Sequence, residues 1–497
     1  MRKTLCLFSL ILFSIVLNAQ NYSKAFPAID KHIDSVLKQW NIPGLAIGIV
    51  HKDKLIYGKG FGYRDLERKL PVNTATTFPI ASNTKLFTSV LGGILQEENL
   101  LDLDKPVKTY MPHLNFATEE LNAKVSVRDM LSHRTGIPGY DALWLYGSWN
   151  KDSLLARLHL LTPRYALREG YIYNNVMYSV AGSVMEAVAG KSWENLIREK
   201  IFGPLGMSRS GFSNEIIKNP PENHSLSYME KDAQGRILPR PVSGQSEALG
   251  PAGTIYSSVE DMSKWMIALL NEGKFNGKQV IPANAIKQTA VPQIISDRTG
   301  RWEELSNGLY GMGRIIQSYK GIKILTHTGS IDNFYSNLTI IPSKELAIFI
   351  VFNTSEANSY RTAAAFPVID KLLGLECTDW SGRYRREYEQ SVASSANPAP
   401  VLNKKEQPPY HNPEEYVGVY TDPLLGTLMV VLKDNQLRLQ FKDFDFPIYH
   451  DHFDQFITKN PRGVPDYRLF FQTTGGGRIH AVKMSVYGIE GNFVKKR

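Results

Sequence analysis

Residues 78–95 constrain this chain more tightly than any other stretch. A short apolar segment ends at Ala81, and apolar residues then recur at Leu86, Phe87, Val90, Leu91, Ile94 and Leu95. That spacing marks one buried face of a helix, which other elements must cover. Ser82 stands at its start, where unpaired backbone N–H groups and the helix dipole favour developing negative charge. Lys85 follows three residues on and lies beside the hydroxyl on the same face. Set among Leu86, Phe87 and Leu91, its amine is partly desolvated, which lowers its pKa toward that of a base at neutrality. The pair reads as an activated serine nucleophile. Ser-x-x-Lys also occurs at Ser35/Lys38 and Ser148/Lys151, so the tetrapeptide alone decides nothing. Context and two downstream motifs set Ser82 apart.

Residues 1–19 read as a secretory signal: Arg2 and Lys3, an apolar run from Leu5 to Leu17, then Ala19 at the expected cleavage point. The run is short for a membrane span and no later stretch is long enough, so a soluble, periplasmic or secreted protein is expected. The formal charge of +9 falls to +7 without Arg2 and Lys3, and it is spread along 497 residues. Nucleic-acid binding is therefore not expected; the basic balance suits residence near anionic envelope polymers. Only Cys377 survives removal of the signal, so no intrachain disulfide is possible; it reads as a packed thiol rather than a nucleophile.

Phe26, Ile29, Ile33, Val36, Leu37 and Trp40 form a helical stripe that stops at Asn41-Ile42-Pro43-Gly44, and Ser35 and Lys38 belong to it. Leu45 to Val50 and Leu55 to Phe61 read as two strands about a turn at Lys52-Asp53. Helix, hairpin, then nucleophile helix is an order in which helices cover a sheet. Residues 125–139 read as a short helix broken at Gly136 and Pro138, with His133 in a structural role. Tyr173-Asn174-Asn175 opens a helix from a loop able to aim the phenol into a cleft. Residues 250–262 read as a glycine-rich turn into a capped helix. Ile322 to Leu325 forms a strand running into His327-Thr328-Gly329-Ser330, where Gly329 lets a substrate approach the backbone closely. Leu338 to Ile341 and Leu346 to Phe352 then form a hairpin.

Ser82-x-x-Lys85, Tyr173-x-Asn175 and His327-x-Gly329, in this order, resemble the serine β-lactamase and DD-peptidase superfamily, specifically its branch of class C β-lactamases, D-Ala-D-Ala carboxypeptidases and esterases. Leu101 to Pro106, Leu131 to Pro138 and Gly253 to Met262 look like that branch too. The resemblance covers roughly residues 25 to 375 and implies an α/β (α+β) fold: an antiparallel sheet flanked by helices, with a helical lobe and the active site between them. It makes Ser82 the acylated nucleophile, Lys85 its partner base, Tyr173 the proton shuttle and Asn175 a partner of the substrate amide, with the general base either Lys85 or Tyr173. His327, Thr328, Gly329 and Ser330 would line the cleft, the N–H groups of Ser82 and Ser330 forming an oxyanion hole. Two departures stand out. The β-lactamases usually carry Lys where His327 stands, which implies weak β-lactamase activity and a pH–rate limb near the His327 pKa. Asn333 occupies a place where Gly is common.

Past Trp380 the composition shifts: 381–409 reads as a linker, and 410–497 as short alternating strands resembling the small lipocalin-like β-barrel appended to some members of the family. The catalytic domain is set at 24–380. His450-Asp451-His452-Phe453-Asp454 reads as an alternating edge strand, not a metal site. The chemistry implied needs no metal or organic cofactor. The expected function is an exported serine hydrolase cleaving amide bonds of small peptides with D-residues, such as cell-wall fragments. The alternatives are a broad carboxylesterase with weak β-lactamase activity, or a non-hydrolytic β-lactam or muropeptide sensor.

Overall fold

The computed structural model describes residues 21–141, 150–231, 237–240, 249–296, 301–354, 359–396, 407–442, 444–458, 467–486 and 489–496. The expected signal at 1–19 lies outside them. Helix α1 (Phe26–Gln39) is followed by strands β1 (Gly44–His51) and β2 (Lys54–Asp65), with Lys52 at φ 57° in the turn between them. The expected helix and hairpin are present within four residues of their predicted bounds.

Later strands complete an antiparallel sheet: β3 (Leu70–Pro71), β4 (Ile294–Ile295), β5 (Leu305–Tyr310), β6 (Ile315–Tyr319), β7 (Ile322–Ile331), β8 (Phe334–Ile341) and β9 (Leu346–Phe352). Among the described residues its order is β4-β5-β6-β7-β8-β9-β1-β2-β3. The chain's early hairpin thus joins the late strands where β1 pairs with β9, from Leu45 opposite Phe352 to His51 opposite Leu346. β1 is buried almost throughout, because both faces are covered. On one face Ile47, Ile49, Ile348 and Ile350 pack with α1 and helix Phe366–Leu373; on the other, Ala46, Val50 and Phe349 share a core with helices Thr84–Glu97 and Val259–Leu270. This is the mixed α/β architecture expected.

The β7–β8 turn holds Asp332 at φ 45° and Asn333 at φ 66°. Asparagine is one of the few non-glycine residues that enter the left-handed region readily, so Asn333 keeps the turn without Gly.

Three expectations are corrected here. The segment expected to be a linker from 381 begins as a helix, Trp380–Ala396. Trp380 and Tyr384 are buried on the α1 side of the sheet, and Trp40 Nε1 donates to Ser381 Oγ at 2.8 Å, so apolar anchors override the polar composition that follows. Cys377 is exposed rather than packed, with Lys371 Nζ 3.7 Å from its sulfur. Finally, the C-terminal strands close into an eight-stranded barrel running from Gly418–Asp422 to Ile489–Lys495. His450 and His452 lie on a strand paired on both sides, so it is no edge strand. Leu428, Leu439, Phe441, Leu469, Val482 and Phe493 are buried and share one core, as expected for a barrel just wide enough for its own side chains.

Candidate active site

The nucleophile turn begins with strain. Ala81 takes φ 50°, and a 3-10 turn, Ala81–Asn83, precedes the helix α2 (Thr84–Glu97), so the helix starts two residues beyond Ser82. Lys85 lies in the first turn of α2 and is fully buried. Its Nζ is 3.2 Å from Ser82 Oγ, 2.6 Å from Asn175 Oδ1 and 2.7 Å from the Ala252 carbonyl. Three acceptors match the three N–H groups of an ammonium. Once deprotonated, the amine still donates to Asn175 and Ala252 and turns its lone pair to the serine hydroxyl. Burial lowers its pKa from 10.5 to about 7, while the charge of Asp141 pulls the other way. Both protonation states are therefore accessible near neutrality, as a base requires.

Asn174 caps the helix Asn175–Ala189, its side chain accepting from Met177 N at 3.0 Å. Its amide nitrogen also donates to the carbonyls of Ile137 and Pro138, at 3.0 and 2.7 Å. His133, at φ 59°, accepts from Asn174 N through Nδ1 at 3.1 Å, and its carbonyl accepts from Ile172 N at 3.0 Å. The 133–138 loop is thus a cradle for the Tyr173 tripeptide. The Tyr173 ring lies 4.3 Å from the His133 ring and 6.1 Å from the His327 ring, centroid to centroid, with Lys85 Nζ 4.8 Å from its centre. The Ser82–Lys85 pair and Tyr173, from distant parts of the chain, thus meet around the Lys85 amine.

His327 is buried on β7. Its Nδ1 donates to the Thr328 carbonyl at 2.7 Å, which places the proton on that nitrogen and leaves Nε2 facing the Tyr310 hydroxyl at 3.1 Å. Burial holds Tyr310 well above its ordinary pKa, so it remains a phenol and donates. The side chain of Thr328 turns to the opposite side of β7 from His327. There it lines a cavity of about 680 Å³ with Thr326, Arg301, Trp302, Arg361 and Tyr384.

At Gly329 the close approach seen is one within the chain itself. A Cβ at this position would lie 2.2 Å from the Ile80 carbonyl and 2.4 Å from Ser336 Oγ. What approaches the strand is the chain's own nucleophile turn. Ser336 Oγ donates to that carbonyl at 2.7 Å and accepts from Asn83 Nδ2 at 2.8 Å, fastening the turn to β8.

Three participants were not singled out from the sequence. Ala252 acts through its backbone carbonyl, which leaves no side-chain signature; it lies in a short helix, Gly250–Gly253, of the glycine-rich turn. Asp141 accepts from Asn175 Nδ2 at 3.0 Å. Tyr310, as described, touches His327. Among the described residues no cluster of three His, Cys, Asp or Glu is arranged to hold a metal, and no helix is long and apolar enough to cross a membrane.

A partly exposed serine beside a buried lysine, with a tyrosine ring against the amine, is the arrangement of a serine hydrolase. The chain belongs to the beta-lactamase family, whose profile matches residues 29–372; a second profile, a domain of unknown function (DUF3471), matches residues 402–494. Among curated relatives, the unguisins hydrolase ungD of Aspergillus violaceofuscus is 28% identical over 436 residues, covering 81% of this chain and 76% of that one. Protein flp of Staphylococcus aureus is 25% identical over 329 residues, covering 65% and 62%. The octameric penicillin-binding protein homologue from Pyrococcus abyssi shares the fold at TM-score 0.61 and 22% identity, covering 95% of this chain and 100% of that one. SurE, solved with D-Leu, does so at TM-score 0.54 and 18% identity, over 95% and 100%.

Proposed function

We propose that this chain is an exported serine hydrolase that forms an acyl-enzyme at Ser82 and cleaves amide bonds of small peptides containing D-residues. The observation that carries the reading is the position of Lys85, buried and held by three acceptors, one of them the Ser82 hydroxyl. In this scheme Lys85 takes the proton of Ser82 as the oxygen attacks the acyl carbon. Tyr173, between Lys85 and His327, passes a proton to the departing amine. The N–H groups of Ser82 and Ser330 stabilise the oxyanion, a contribution of about 3 kcal/mol per donor.

One feature supports such a substrate. A relative is named for hydrolysis of unguisins, and a chain of the same fold was solved with D-Leu. The sequence of residues 1–19 supports export. A second reading, a broad carboxylesterase, draws on His327: with one ring nitrogen on a carbonyl and the other on Tyr310, it offers no fixed positive charge to a substrate.

The test is acylation of Ser82 by a fluorophosphonate and by a fluorescent penicillin, read by intact mass in wild type and Ser82→Ala. Label on wild type alone supports the reading, and absence of label overturns it. Rapid loss of the penicillin adduct distinguishes an enzyme from a sensor. Comparing D-Ala-D-Ala peptides with p-nitrophenyl esters then separates peptidase from esterase.

A further inference from the structure

The chain of contacts behind the nucleophile does not end at Asn175. Its Oδ1 accepts from Lys85 at 2.6 Å and its Nδ2 donates to Asp141 Oδ1 at 3.0 Å. An asparagine amide has one acceptor end and one donor end, and the two partners demand opposite ends. With the carboxylate in place only one orientation is allowed, and it is the one that gives Lys85 an acceptor. The loop is shaped to hold this carboxylate. Tyr140, the preceding residue, takes φ 47°, a conformation rarely adopted by non-glycine residues. A Cβ on Gly139 would lie 3.2 Å from both Asp141 Oδ2 and the Tyr173 carbonyl, so the carboxylate folds back beside the tyrosine backbone.

We propose that Asp141 is a positioning residue of the acylation machinery: it fixes the orientation of Asn175 and, through its negative charge, sets the pH at which Lys85 becomes a base. The proposal rests on the serine hydrolase reading above. The groups facing Lys85 Nζ are Ser82 Oγ, Asn175 Oδ1, the Ala252 carbonyl and the rings of Tyr173 and Tyr178, at 4.8 and 5.2 Å; His133, His327 and Tyr310 stand behind those rings. Asp141 brings a carboxylate to this surround. A nearby anion favours the charged form of the lysine, so Asp141 raises the pH at which the free amine is populated in exchange for geometry. The fall in Lys85 pKa from burial and the opposing pull of Asp141 agree in direction with this assignment.

The experiment uses the full chain and a small neutral ester, p-nitrophenyl acetate, with kcat/KM followed against pH. Asp141→Asn keeps an acceptor oxygen for Asn175 but removes the charge. Its acid limb is expected at lower pH than wild type, making it about two- to tenfold faster on the acid side of the wild-type limb. Asp141→Ala frees the amide to turn and is expected to lose about tenfold or more in kcat, with KM little changed. Asn175→Asp sets two carboxylates face to face and loses more. Adding Asp141→Asn to it restores a donor opposite an acceptor, and is expected to recover about tenfold. A D141N limb that is unmoved or higher, or a double variant no better than N175D, overturns the proposal. Fluorophosphonate labelling of wild-type Ser82 separates this failure from failure of the hydrolase reading. Thermal melts and the isosteric D141N guard against a misfolded D141A.

Discussion

Gly329→Ala is the sharpest single perturbation, because its effect is calculable from contacts within the chain. The added Cβ would sit 2.2 Å from the Ile80 carbonyl, 2.4 Å from Ser336 Oγ and 3.0 Å from the Ala81 Cβ. Heavy atoms in contact sit about 3.5 Å apart, so β7 and the nucleophile turn must separate by about 1 Å. Both groups that would move are fastened: Ser336 Oγ bridges the Ile80 carbonyl and Asn83 Nδ2, at 2.7 and 2.8 Å. Overpacking of this kind costs about 1–3 kcal/mol of stability, a fall in Tm of several degrees, on the order of 2–8 °C. A 1 Å displacement of a catalytic group costs about a hundredfold in rate, or about 2.7 kcal/mol. The assay is kcat and KM for p-nitrophenyl acetate beside a calorimetric melt. If Gly329 served substrate approach alone, a donor this small would be unaffected and Tm unchanged. A variant with wild-type Tm and kcat within about threefold of wild type would refute the packing argument.

Other expectations follow from individual groups. The acid limb of kcat/KM should lie near pH 7 and belong to Lys85 rather than His327, since burial brings the lysine to about 7; a limb that moves in His327→Gln would contradict this. The same shift links to stability. Unfolded Lys85 binds a proton up to its ordinary value of 10.5, so wild type should gain about 1.4 kcal/mol per pH unit over Lys85→Met between about pH 7 and 10, measured by urea unfolding. In the barrel, His411 donates from Nδ1 to Asp454 at 3.1 Å and from Nε2 to the Gly477 carbonyl at 2.6 Å, which needs the protonated ring. Its pKa is raised, first by the Gly477 contact, so this stabilisation is complete below the unfolded value of 6.5 and is lost as pH rises through the folded one. A barrel melt whose pH dependence survives His411→Ala would sink the assignment. Arg314 is buried with Nε and Nη2 lacking a hydrogen-bond partner among the described residues, and burial lowers its pKa to about 9. Arg314→Met should therefore raise unfolding free energy by about 1–3 kcal/mol in chemical denaturation; a loss would show that the guanidinium is compensated.

Periodicity and turn residues carried much of the fold. Ile29, Ile33 and Val36 repeat at helical spacing, and the 45–50 and 346–352 segments are apolar runs of strand length; such local patterns depend only on which face is buried. Three short motifs singled out Ser82, Lys85 and Tyr173, the residues proposed as nucleophile, base and proton shuttle, because that chemistry needs particular side chains at particular spacings. Other features had no local trace. The pairing of β1 with β9 joins residues some 300 apart, and no pattern in either strand names the other. The barrel strand bearing His450 and His452 read as an edge because closure depends on all eight strands together. The linker reading of 381–396 failed because Trp380 and Tyr384 gain burial only against a sheet built elsewhere. Glycine at 329 marks a close approach, but that residue 80 lies against it is set by packing alone. Side-chain chemistry in order along the chain thus determined the reaction type. Tertiary structure alone decided the desolvation of Lys85, the Ala252 carbonyl that holds it and the Asp141 carboxylate behind it, since burial and the aim of a backbone group are properties of the assembled fold.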